Sequence, residues 1–278
     1  MSTQSHSPGH PPSPATAVEE KLTIIIPVYR ESEELPQTLA RIHEAMSKAP
    51  IPTAVLFVDD GSPDNSVEIL LEHAEKNTYA RVVALDGNHG QHTAVFAGIE
   101  LARSSKVATM EAHPEHDVGD LFELYSKMDE GTDLVGGVRV GRTLPWWRTV
   151  GSWTLNRILV GLGVSPFHDL GCQLAVWRRE VAHEAFYMAA RLPWHQGLGH
   201  LLSALRGRQA KNHRVQCRYT SDRPSAYHAP ALFKGAFLVL WTAFRLRLGA
   251  SVDLSLTQTS PYRVASDSAT ASSENNAP

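Results

Sequence analysis

Five short apolar runs, LTIIIPV, TAVLFVD, RVVAL, KVATM and TDLVGGV, recur along the chain with segments of helical period between them. Runs of strand length alternating with amphipathic helices imply a mostly parallel sheet covered by helices. The expected fold class is therefore α/β, a mostly parallel twisted sheet flanked by helices. In open sheets of this kind ligands bind beyond the carboxyl ends of the strands. Tyr29, Arg30 and Glu31 fall there, then Asp59, Asp60, Gly61 and Ser62, and then Glu111 and His113. Three strand ends are expected to present polar groups to one crevice.

The 278 residues, 42% of them hydrophobic, suffice for one large domain with a core that needs no disulfide. Its expected bounds are residues 21–228, followed by an amphipathic helix over 229–249. Residues 1–20 and 250–278 are rich in Ser, Pro, Thr, Ala and Asn and show no apolar period, so both are expected to be disordered tails. Cys172 and Cys217 have no metal-ligand spacing and read as ordinary thiols of a reducing compartment. A net charge of -3 gives no overall pull toward nucleic acid, and no basic stripe with interleaved aromatics is present. The longest apolar stretch, GAFLVLWTAF between Lys234 and Arg245, is too short to span a bilayer. A cytoplasmic location is expected.

Ser62 followed by Pro63 reads as a helix N-cap and first helical residue, which places Asp59 and Asp60 in a tight strand-to-helix loop. Carboxylates there can accept hydrogen bonds from a base or ribose; Asp60-Gly61 can also be no more than a turn. Further on, Trp146 to Leu162 reads as an amphipathic helix, and Val215 to Tyr227 as a strand and turn. Phe233, Phe237, Leu240, Trp241, Phe244 and Leu248 recur at spacings of three and four. That stripe either lies on a membrane surface or packs on the domain.

The motifs IIPVYRESEELP, FVDDGSPDNSVEIL, NHGQHTAVFAGI, GVR and DLGCQLAVWRREV, together with an acidic segment after KVATM, stand in the order found in one group of enzymes. From Leu22 to Phe244 the chain resembles the family 2 polyprenyl-phosphate glycosyltransferases. The resemblance implies a GT-A type nucleotide-sugar-binding fold. It further implies inverting transfer of a sugar from a UDP- or GDP-linked donor to polyprenyl phosphate, with the chain peripheral on the inner face of the membrane. Carried over residue by residue, Pro27, Tyr29, Glu31, Asp59 and Asp60 hold the nucleoside and Gln91 lies near the pyrophosphate. His89 and His92 read as surface or packing residues, since neither has a metal-type partner spacing.

The family's Asp-x-Asp motif, which binds Mg²⁺ or Mn²⁺ on the nucleotide diphosphate, appears here as Glu111-Ala112-His113-Pro114-Glu115. Glu111, His113 and Glu115 can all ligate a divalent ion, and the imidazole favours Mn²⁺ over Mg²⁺. A surviving metal site and a degenerate one both stay open. Two further departures remove cations the family places beside phosphate: Ala175 stands for an arginine, and the Gly-x-Ser-Lys-Tyr ending reads Arg223-Pro224-Ser225-Ala226-Tyr227. Arg139 and Arg148 are the candidates for gripping an acceptor phosphate through bidentate contacts, with Arg142 and Arg218 as further cations and Arg178 and Arg179 reading equally as a solvated helix start. Asp169 matches an acidic residue of the acceptor loop and is expected to position that loop or help activate the acceptor. The competing readings are a catalytically impaired nucleotide-binding or regulatory member, and a transferase for a soluble acceptor.

Overall fold

The computed structural model describes residues 19–112, 117–141, 146–161, 169, 172–189, 208–216, 240 and 262–267. In chain order its elements are β1 (Leu22–Val28), α1 (Leu35–Ser47), β2 (Thr53–Asp59), α2 (Ser66–Lys76), β3 (Ala80–Leu85), α3 (Gln91–Leu101) and β4 (Lys106–Thr109). They continue with α4 (Val118–Ser126), β5 (Leu134–Val140), α5 (Trp146–Gly161), β6 (Ala175–Arg178), α6 (Arg179–Ala189), β7 (Ala210–Gln216) and β8 (Val264–Asp267). All five apolar runs are strands. They join one sheet of order β7-β5-β6-β4-β1-β2-β3-β8, in which β6 and β8 run antiparallel to their neighbours and the remaining pairs are parallel.

The sheet is buried on both faces, which is why its central strands are continuous apolar runs rather than alternating ones. Ile25, Leu56, Val58, Val83 and Trp177 pack with α3, α6 and Leu159 of α5 on one face. Leu22, Ile24, Ile26, Phe57 and Val82 pack with α1, α2 and α4 on the other. Each fully buried Leu or Ile contributes about 1.5–3 kcal/mol of transfer free energy. Helix α3 is apolar nearly all round because it lies between the sheet and α6. Its close approach depends on Gly98, where a Cβ would stand 2.4 Å from Ile25 Cγ2.

Three expectations are corrected. Helix α2 starts at Ser66, after Asn65, and not at Ser62. The reason is that Ser62 N–H is taken by Asp59 Oδ2 at 2.9 Å, closing a turn, and Ser66 N–H is taken by Asp64 Oδ1 at 3.2 Å. The strand expected from Val215 begins at Ala210, where Lys211, Asn212 and Arg214 are exposed or partly so because β7 is a sheet edge. Within the supposed tail 250–278, Val264–Asp267 forms β8 along the outer edge of β3. An edge strand is held by main-chain hydrogen bonds and needs no apolar period, so this one is silent in the sequence. Residues 1–18 lie outside the described residues, as does the helix expected over 229–249 apart from Leu240, which is partly buried against the core.

Candidate active site

Strands β4, β1 and β2 are neighbours and parallel, so the loops leaving their carboxyl ends meet at one edge of the sheet. Pro27 pairs with Val58 on the β2 side, whereas pairing toward β4 ends at Ile25 and Thr109. Proline has no N–H to continue that ladder. The chain then passes Tyr29, 36% exposed, and Arg30, whose φ of 57° is left-handed and whose guanidinium lies 5.3 Å from the Tyr29 ring centre. Such a backbone persists where neighbours hold it. Here three consecutive N–H groups are held: Arg30 donates to Ser62 Oγ (3.1 Å), Glu31 to Ser66 Oγ (3.1 Å) and Ser32 to Asp64 Oδ2 (3.2 Å). Glu31 is thereby placed beside the loop after β2.

Asp59 and Asp60 are buried, at 1% and 2% exposure. Asp60 accepts the N–H groups of His89 (Oδ1, 2.8 Å) and Gly90 (Oδ2, 2.8 Å), tying its loop to the one before α3. Asp59 Oδ2 closes the turn at Ser62, while its buried Oδ1 has no hydrogen-bond partner among the described residues. Burial raises the carboxyl pKa of both above the ordinary value, against the lowering effect of these donors. The DDG turn also needs its glycine: Gly61 has φ +66°, and a Cβ there would lie 2.5 Å from Gly87 carbonyl carbon.

Gln91 opens α3, and its Nε2 stands 3.5 Å from Glu111 Oε1 just past β4. Thr38 of α1 donates to the carbonyl of Ala112 (2.9 Å), anchoring the start of the next loop. From the other side Arg139, near the end of β5, makes a two-point pair with Asp169: Nε to Oδ2 and Nη2 to Oδ1, both 2.8 Å. Desolvation works to lower the Arg139 pKa, but the Asp169 hydrogen bonds and charge, with Glu111 adding to them, hold it above its ordinary value. Beneath this pair Cys172 is a neutral thiol, its pKa pushed up to about 12 by burial.

Pro27, Tyr29, Glu31, Asp59, Asp60, Gln91, Glu111, Arg139 and Asp169 are thus placed on one edge of the sheet. His113 and Glu115 lie outside the described residues, as do Arg142, Arg218 and the segment 223–227; Arg148 is on α5, its side chain likewise outside them. Among the described residues no three His, Cys, Asp or Glu side chains converge as a metal cluster. Arg178 and Arg179 are elsewhere. Because β6 is antiparallel to β4, they sit at the opposite edge, Arg178 bonded to the carbonyls of Asp129, Glu130 and Thr132 and Arg179 to that of Ala102. They line a recess of about 730 Å³ there, remote from the acidic loops. Ala175 is wholly buried in the core, so no cation stands at its place. His92 packs against Phe186 with ring centres 5.9 Å apart.

What the motifs did not disclose is the supporting set: Ser62, Asp64 and Ser66 under the first loop, and Asp86, whose Oδ1 lies 2.7 Å from His89 Nε2. The only sequence signal for the former is the turn-forming composition of SPDNS.

A helix-flanked, mostly parallel mixed sheet with acidic loops gathered at its carboxyl edge is a fold of the GT-A type. Solved structures share the fold. A mannosyltransferase from Pyrobaculum calidifontis, in complex with GDP-Man and Mn²⁺, aligns with a TM-score of 0.60 at 18% identity over 86% of this chain and 72% of its own. Glucosyl-3-phosphoglycerate synthase from Mycobacterium tuberculosis, in complex with UDP, aligns with a TM-score of 0.56 at 15% identity over 84% and 82%. Mannosyl-3-phosphoglycerate synthase from Rubrobacter xylanophilus gives 0.54 at 16% identity over 86% and 78%. Residues 23–186 match the model of glycosyl transferase family 2, and the chain belongs to that family.

Proposed function

We propose that the chain transfers a sugar, with inversion, from a UDP- or GDP-linked donor to a polyprenyl phosphate. The observation that carries this reading is the meeting of Glu31, Asp59, Asp60 and Glu111 at adjoining strand ends, with Arg139 and Asp169 facing them from β5 and the loop before β6. In this reading Pro27, Tyr29 and Glu31 line the nucleoside pocket. Asp59 closes the turn that shapes the base pocket by accepting Ser62 N–H, and Asp60 fixes the loop that flanks it. Gln91 and the start of α3 approach the diphosphate.

A divalent cation fits the donor set: one carboxylate, Glu111, with the diphosphate's own oxygens matches how hard cations are bound beside nucleotides. His113 and Glu115 would complete the site. When bound, such a cation neutralises charge on the departing diphosphate. The acceptor phosphate oxygen attacks the anomeric carbon, the bond from that carbon to the diphosphate oxygen breaks, and its electron pair leaves with the nucleoside diphosphate. The attacking phosphate is already ionised, so Asp169 orients the acceptor loop rather than removing a proton. Arg139 holds Asp169, and Arg148, carried on α5, would supply a cation for the acceptor phosphate.

A lipid-borne acceptor is supported by α5, which exposes Trp146 (77%), Val150 (53%) and Trp153 (61%) at i, i+4 and i+7, with Arg157 over the Trp153 ring. Aromatic side chains in this setting favour a membrane interface. No helix among the described residues is long and apolar enough to cross a membrane.

The test is nucleoside diphosphate release from a panel of UDP- and GDP-sugars with Mn²⁺ and undecaprenyl phosphate. Lipid-dependent release supports the reading. Release with 3-phosphoglycerate and none with the lipid moves the acceptor to a soluble phosphate ester. Nucleotide binding without release for any acceptor identifies a regulatory member.

A further inference from the structure

We infer that the C-terminal strand braces the donor loop, and that Asp86 and His89 are the positioning residues through which it acts; the inference rests on the reading that the Asp60 loop flanks the nucleoside. Strand β8 lies on the outer edge of β3, pairing Val83 with Asp267, Ala84 with Ser266 and Leu85 with Val264. It is fastened on both sides. Arg81 and Asp267 form an ion pair at 3.7 Å, largely shielded from water, and Tyr262 donates its hydroxyl to Glu100 of α3.

Beyond the ladder the contact continues into the cleft. Asp86 N–H donates to Arg263 carbonyl (3.0 Å), and Arg263 N–H donates to Asp86 Oδ1 (3.3 Å). The same Oδ1 receives His89 Nε2 at 2.7 Å, and the next two main-chain donors, His89 and Gly90 N–H, both end on Asp60. Hydrogen bonds joined through the His89 residue itself, from its ring to its main-chain N–H, therefore connect residue 263 to the Asp60 carboxylate. On its far side the same loop is stopped by Gly61, which approaches Gly87 so closely that no Cβ fits. The loop over 86–90 is thus wedged between the DDG turn and the C-terminal strand. The family-matched segment ends at residue 186, so the brace comes from a part of the chain beyond it.

A loop that supplies both donors to a buried carboxylate sets where that carboxylate stands, and small displacements of such supports weaken binding sharply. Asp86 and His89 touch neither donor nor acceptor in this account; they act through Asp60.

The test uses the full chain and the variants Asp86→Ala, Arg263→Pro and Asp86→Asn. In the absence of nucleotide, amide exchange at His89 and Gly90 is followed against Ile24 to Ile26 as an internal standard of global folding. The expected result is exchange at least tenfold faster in Asp86→Ala and Arg263→Pro, with Asp86→Asn close to wild type because its amide oxygen still accepts. The donor KM is expected to rise about tenfold with kcat within twofold, and the double variant to be no worse than either single one, the signature of a shared path. Unchanged exchange at His89 and Gly90 overturns the brace, and so do additive effects. Faster exchange with unchanged KM overturns the positioning role. A wild-type chain that binds neither UDP nor GDP, while exchange still responds, sinks the donor-site reading and this role with it, and is told apart from failure of the brace by the exchange data.

Discussion

Arg139 and Asp169 face each other fork to fork, Nε on Oδ2 and Nη2 on Oδ1, each at 2.8 Å and with side chains only 14% and 10% exposed. A guanidinium so used is spent on geometry as much as on charge. Removing the guanidinium takes two charge-assisted hydrogen bonds from the shielded Asp169 carboxylate, a break that costs about 3–5 kcal/mol. Arg139→Ala is therefore expected to lose stability on that scale, while Arg139→Met with Asp169→Leu loses far less. Arg139→Lys keeps the charge but not the fork and is expected to lower transfer. Urea denaturation of the three variants, with transfer assays, checks this.

Asp59 and Asp60 have pKa values raised by burial above the ordinary 3.8. Between the two values the native chain binds more protons than the unfolded one. Their contribution to stability is thus fully present below pH 3.8 and is lost as pH rises through the raised values. Asp59→Asn removes the buried charge and is expected to raise stability at neutral pH by about 1 kcal/mol while weakening nucleotide binding. Melting temperature across pH 4 to 8, read beside a nucleotide titration, decides it: a variant that melts lower at neutral pH counts against the assignment of the strain to Asp59.

Gly61→Ala meets both a left-handed backbone and the main chain of Gly87. The conformation alone costs about 1–2 kcal/mol, and the clash adds to it. Loss of at least 2 kcal/mol together with nucleotide binding is expected, measured by denaturation and calorimetry.

Of the three residues expected to hold the cation, Glu111 lies among the described residues. Chelation of divalent ions is expected to abolish transfer, and Mn²⁺ to restore it. Glu111→Gln should need about tenfold more Mn²⁺ for half-maximal rate, since one charged ligand is gone. An unchanged Mn²⁺ requirement would remove Glu111 from the site.

Trp146 and Trp153 are exposed on α5, so Trp146→Ser with Trp153→Ser should leave the melting temperature within about 2 °C. Flotation with vesicles of anionic lipid should fall several-fold. Equal flotation of both proteins would place the membrane contact elsewhere.

The strands and the three acidic strand ends were legible because buried parallel strands must be apolar along their whole length, and because a polar residue at the end of such a run has only the loop to occupy. Asp59 and Asp60 were visible for that reason. The start of α2 was misplaced because Asp59 and Asp64 capture the main-chain donors first, a competition between side chains that Ser62-Pro63 does not announce. As cations of the chain Arg178 and Arg179 can serve either a phosphate or a solvated helix start, and the antiparallel course of β6, which carries them to the other edge of the sheet, removes the first role.

The amino-acid sequence by itself determined the α/β class, the strands and the carboxylates that end them, since periodicity and burial are local properties of the chain. Only the tertiary structure decided that Arg139 closes on Asp169, that Arg178 and Arg179 cap main-chain carbonyls, and that residues 262–267 return to support the Asp60 loop. Those pairings join residues far apart along the chain. Their energy depends on distance and shielding in space, for which no spacing of residue types stands in.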